Sequence, residues 1–64
     1  MKININNIEN YVGQIIKVFT INDERIAAKL INTNDTYLLL ENTRGFRSRV
    51  PKNEVTLLFT IGGE

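Results

Sequence analysis

The sequence contains no cysteine, no histidine and no tryptophan, only one proline, and a single serine at Ser48. Without cysteine no disulfide can form, and without cysteine or histidine a zinc or haem centre loses its best ligands. No metal and no cofactor is therefore expected. Nucleophilic catalysis needs an activated nucleophile beside a base, and these residue types supply no recognisable pair. The acids Asp23, Glu24 and Asp35 fall in polar segments typical of turns, where short side chains hydrogen-bond local backbone. They are too sparse for calcium, and acid–base catalysis draws on carboxylates held in a pocket. The chain reads as a binding protein and not as an enzyme.

Long apolar runs are missing as well. No segment approaches the ~20 apolar residues of a membrane span. The opening Met1-Lys2-Ile3-Asn4-Ile5-Asn6 breaks its apolar residues with asparagine, unlike the core of a signal peptide. A cytoplasmic protein with no membrane partner is expected. Neither sign of charge predominates: eight basic residues against seven acids leave a formal net charge of +1. Any electrostatic function must then come from local clustering.

The chain has 64 residues, a single domain spanning 1–64, and a domain of that size buries only about 60% of the surface its unfolded chain exposes. Small domains are secured by disulfides, metals or association. With the first two removed, a homo-oligomer is expected.

One short helix is predicted over about residues 7–12. Asn6 is placed as its N-cap, Glu9 three residues later suggests a capping box, and Ile8, Tyr11 and Val12 follow the i, i+3, i+4 rule. Gly13 stops it. From Gln14 to Ile21 the period changes to two, with Ile16, Val18 and Thr20 on one face and Ile15, Lys17, Phe19 and Ile21 on the other. Alternation resumes over Arg25 to Thr33, then over Thr36 to Glu41, then over Phe46 to Val50. Polar turns separate these stretches. Pro51 cannot donate to a sheet, so the residues from Pro51 to Glu54 are expected to form one tight turn before a last strand. In that strand Val55, Leu57, Phe59 and Ile61 alternate with Thr56, Leu58 and Thr60. Gly62-Gly63-Glu64 reads as a frayed tail.

The fold class is mostly β: a short N-terminal helix followed by a strongly bent, five-stranded antiparallel small barrel over about 14–61. Closure would hide the apolar strand edges. Ile15, Phe19, Ile21, Ile31, Leu39 and Leu58 lie opposite the apparent core, and Phe19, Ile21, Leu39 and Leu58 are assigned to an oligomer interface.

The stretch from Tyr11 to Leu30 resembles the first motif of the Sm-like family. That family has a helix ending in glycine, alternating apolar residues, a polar turn, and a second strand of apolar, small and leucine residues. Gly13, Ile16, Val18, Ile26, Ala28 and Leu30 stand at those places without a gap. Leu38 and Leu40 fit the third strand if the preceding loop is one residue shorter. The resemblance implies a small barrel that assembles into rings and binds a uridine or adenine per subunit. The family holds the base with an aspartate and an asparagine near the second loop, and with Arg-Gly before the last strand. Here the matching places carry Asn34, Tyr37 and Pro51-Lys52. Asn34 and Lys52 are chemically suitable substitutes, and Tyr37 offers a face on which any base can stack. The turn before the last strand also resembles that of Src-homology-3 type barrels, whose acidic and aromatic peptide-binding signature is missing.

The densest cluster of charge is Arg44, Arg47, Arg49 and Lys52, uninterrupted by an acid. Arg47 and Arg49 should share one face of the fourth strand, with Phe46, Ser48 and Val50 on the other. Such a strip can neutralise phosphates; it can equally protect an edge strand against unwanted pairing. Two functions follow. The first is an oligomeric Sm-like module that binds single-stranded RNA through Asn34, Tyr37, Arg44, Arg47, Arg49 and Lys52. The second is an assembly or adaptor barrel, of viral or mobile-element type, that joins protein partners through its apolar patch without nucleic acid.

Overall fold

Asn4, and not Asn6, caps the N-terminal helix. In the computed structural model, which describes residues 1–61, Asn4 has extended backbone and its Oδ1 accepts from the Asn6 N–H at 2.9 Å. The helix is a 3₁₀ helix, η1, over Ile5–Tyr11. Both asparagines suit a cap; what selects Asn4 is the residue before it. Ile3 is buried, and its N–H donates to the Leu58 carbonyl at 2.8 Å, which pins the start of the helix. Ile8 is fully buried and Tyr11 packs against the core, as the spacing predicts, whereas Val12 lies beyond the helix and is exposed. Gly13 then adopts a φ of +93°, which only glycine takes without strain, and donates to the Leu30 carbonyl at 2.8 Å. That bond docks the end of the helix on the sheet.

Five antiparallel strands follow: β1 (Ile15–Thr20), β2 (Arg25–Thr33), β3 (Tyr37–Glu41), β4 (Arg47–Pro51) and β5 (Val55–Thr60). They form one sheet in the order β4-β3-β2-β1-β5. The short turn η2, a 3₁₀ helix over Lys52–Glu54, joins the two outermost strands. In a flat sheet those strands would stand about 19 Å apart, four spacings of about 4.8 Å. Three residues of 3₁₀ helix rise only about 6 Å, so the sheet has to curl sharply. Principal extents of 25 × 24 × 22 Å agree with a curled sheet and not a flat one. Among the described residues no hydrogen-bonded ladder links β4 to β5. Residues 62–64, expected to form a tail, lie outside the described residues.

The concave side holds the core. Ile16 and Val18 of β1, Ala28 and Leu30 of β2, Leu38 and Leu40 of β3, and Val50 of β4 all point inward, as their alternation predicts. Thr20 also points inward, and its hydroxyl is satisfied there. It accepts from the Asn22 and Glu24 N–H groups at 3.3 Å each and donates to the Glu24 carboxylate at 3.4 Å. This closes the β1–β2 turn, where Asp23 takes a left-handed φ of 62°.

The last strand departs from the expected phase. Leu58, assigned above to an oligomer interface, is only 2% exposed and belongs to the core. Leu57 and Ile61, expected inside, are exposed, and Phe59 is half-buried on the outer side, paired with Lys17. The cause is a bulge: Thr20 pairs with Val55 and Phe19 with Leu57, which leaves Thr56 as one extra residue in β5. One extra residue inverts every side chain beyond it. A second bulge places Ile31 between the Leu30–Leu40 and Asn32–Leu39 pairs. Phe46, expected within the fourth strand on the face opposite Arg47 and Arg49, sits in the turn before β4 and is 68% exposed.

Candidate nucleic-acid interface

Directly opposed residues in a sheet share a face, so the strand register maps the convex surface. Lys17 pairs with Ala27 and Phe59, and Phe19 pairs with Arg25 and Leu57. Further along, Lys29 stands between Ile15 and Glu41, Glu41 pairs with Arg47, and Leu39 pairs with Arg49. Lys2 is bridged to Phe59 on the same side, so among the described residues the convex face gathers six of the eight basic residues, Lys2, Lys17, Arg25, Lys29, Arg47 and Arg49, around one acid, Glu41. In a chain with net charge +1 this is a pronounced segregation of charge.

Aromatic rings lie among these cations. The Arg49 guanidinium is 5.0 Å from the centre of the Tyr37 ring. Lys17 Nζ stands 5.4 Å from the centre of the Phe19 ring, and the Arg25 guanidinium 5.7 Å from it. Phe19 and Phe59 meet edge to face, with centroids 5.8 Å apart. Arg47 Nε donates to Glu41 Oε2 at 3.1 Å, which neutralises the acid on this face and orients one cation. Such an exposed pair contributes only about 0.2–1 kcal/mol to stability.

The six residues expected to bind nucleic acid fall into three places. Tyr37, Arg47 and Arg49 stand together on the convex face of β3 and β4. Arg44 occupies the β3–β4 hairpin tip, where Asn42 Oδ1 accepts from the N–H groups of Arg44 and Phe46 and Gly45 turns with a φ of +84°. Asn34 and Lys52 line a groove of about 540 Å³ together with Glu9 and Asp35. The Asn34 side-chain oxygen is committed to its own turn, accepting from Thr36 N–H, Thr36 Oγ1 and Tyr37 N–H at 2.9–3.0 Å. Two acids against one lysine make this groove unsuited to phosphate.

Of the residues assigned to an oligomer interface, Ile21 is 61% exposed, while Phe19 and Leu39 are half-buried on the convex face. Lys17, Arg25, Lys29 and Phe59 were not singled out from the sequence. The alternation within β1 and β2 already put Lys17 and Lys29 opposite the core; the order of the strands, which links Lys29 through Glu41 to Arg47, is what the pattern of one strand does not contain.

No family model matches the chain, and no curated protein matches it. Among the described residues no helix is long and apolar enough to cross a membrane.

Proposed function

We propose that this protein is an Sm-like binding module for single-stranded RNA, with the phosphates laid across the convex face of the sheet. One observation carries the reading: Lys17, Arg25, Lys29, Arg47 and Arg49 share that face, and its one acid is already paired with Arg47. Phosphate neutralisation supplies most sequence-independent affinity for nucleic acid, and several copies of the domain in a ring would add their fields. The groove at Asn34 and Lys52 lies near the place that the Sm-like resemblance assigns to a base, and it serves as the second contact. Arg44 extends the track at the hairpin tip.

Fluorescence anisotropy with short uridine-rich and adenine-rich RNAs, repeated across a salt series, tests the proposal. The expected result is binding at low salt that weakens as salt rises, with a slope of about −0.7 per phosphate neutralised. Failure to bind either RNA at low salt overturns it.

A second reading, assembly with protein partners, is favoured by a different observation. The outer edge of β4 pairs with no strand among the described residues, while residues 1–3 cover part of the outer edge of β5 through the Ile3 to Leu58 and Thr60 to Met1 backbone bonds. Ile15, Ile21 and Leu57 are exposed apolar residues. An unpaired strand edge and unburied apolar residues are what a copy of the same domain would cover.

A further inference from the structure

The geometry points to the Phe19–Phe59 pair as a platform on which bases of the bound strand stack, which would make the module selective for single strands over duplex. The inference rests on the function proposed above and adds the site where bases are read. Three observations carry it. First, the two rings meet on the convex face, on adjacent strands, edge to face with centroids 5.8 Å apart and planes 77° apart, so one ring offers its face to a base while the other buttresses it. The inward register of Val18 and Leu58 keeps both rings out of the core. Second, the platform is flanked by positive charge: Lys17 and Arg25 both lie within 6 Å of the Phe19 ring centre. Alternating rings and cations are what a backbone of phosphates and a column of bases require together. Third, positive charge continues from the platform through Lys29 to Arg47 and Arg49, so among the described residues a strand can cross the sheet without meeting an unpaired acid.

Lys17 and Arg25 cover part of the Phe19 ring, and magnitudes decide whether a base can take their place. Two exposed cation–π contacts are together worth at most about 5- to 30-fold in an equilibrium. A stacked base is worth about 5- to 150-fold. Both cations are on exposed, flexible side chains, so they can swing from the ring to the adjoining phosphates as the base arrives. A duplex keeps its bases stacked inside and can use only the cations.

The absence of tryptophan provides the test, because Phe19→Trp introduces a single indole at the platform, which can be excited selectively at the red edge where Tyr11 and Tyr37 do not absorb. The probes are an oligouridylate, an abasic phosphodiester of equal length, and the uridylate annealed to its complement. The expected result is quenching of the indole of Phe19→Trp by the oligouridylate and not by the abasic strand or the duplex. Phe19→Leu and Phe59→Leu, which keep apolar bulk, should each weaken oligouridylate binding about fivefold or more and leave abasic binding unchanged. If the oligouridylate binds with its full salt slope but quenches nothing, and both leucine variants bind like the parent, the platform is overturned and binding belongs to the cation track alone. If the parent protein binds no RNA at low salt, platform and proposed function fail together.

Discussion

Arg49 lies over the ring of Tyr37, 5.0 Å from its centre, on the convex face of neighbouring strands. The two are diagonal neighbours, since Arg49 opposes Leu39 and Tyr37 opposes Pro51, and long side chains span that separation. The contact joins two residues for which separate roles are proposed, a stacking face at Tyr37 and a phosphate ligand at Arg49. A planar guanidinium resting on a ring is partly ordered before any ligand arrives, so less entropy is lost when it meets a phosphate.

Replacing Arg47 and Arg49 together with glutamine should weaken every RNA alike, because phosphate contacts carry no sequence information. The magnitude of the salt slope should fall by about 0.7 for each phosphate left without its arginine, close to 1.4 in all if both arginines meet phosphates. Anisotropy titrations at four salt concentrations measure it. An unchanged slope would remove β4 from the RNA track.

Thr20→Val tests the turn between β1 and β2. Valine keeps the shape of threonine but removes the oxygen that receives the Asn22 and Glu24 N–H groups. A donor left unsatisfied at a part-buried site costs about 1–3 kcal/mol, which a urea titration followed by circular dichroism will resolve. Asp23→Gly, at the left-handed position of the same turn, should relieve backbone strain and so should not lower stability.

The order of elements was legible because alternation and turn chemistry agree along β1 to β4. Ile16, Val18, Leu30, Leu38, Leu40 and Val50 are all buried where period two places them. The phase of β5 was not, because a bulge at Thr56 is set by the pairing of Thr20 with Val55 across the sheet, and no local residue type announces it. The helix cap falls at Asn4 instead of Asn6 for the same kind of reason: Ile3 is held by a bond to Leu58, remote in sequence. At the candidate site, Arg47 and Arg49 could be read as a strip from one strand. Their continuation through Lys29 to Lys17 and Arg25 depends on strand order, and strand order is a tertiary property.

Leu58 and Ile21 separate core from surface. Leu58→Ala removes a buried side chain and should cost about 2–5 kcal/mol. A domain of 64 residues has about 3–10 kcal/mol in total, so this variant should lose most of its thermal stability. Ile21→Ala, at a position 61% exposed, should change it by no more than about 0.5 kcal/mol. Calorimetric melting of both variants decides the assignment; equal losses would contradict the inverted phase of β5.

The open edge of β4 leads to the last prediction. Its backbone groups face away from β3 and meet no strand among the described residues, yet Arg47 and Arg49 project from the same strand. Like charges along an edge oppose pairing with another copy, and a bound polyanion removes that opposition. Self-association should therefore strengthen when RNA is present and, without RNA, when salt is raised enough to screen the arginines. The Debye length falls from about 10 Å at 0.1 M to about 3 Å at 1 M, so sedimentation equilibrium at those two concentrations covers the transition. A mass that grows with salt, and an Arg47→Gln/Arg49→Gln variant that is already associated at low salt, would identify β4 as the assembling edge. A single-chain mass under all three conditions would leave the arginines as pure RNA contacts and remove the ring.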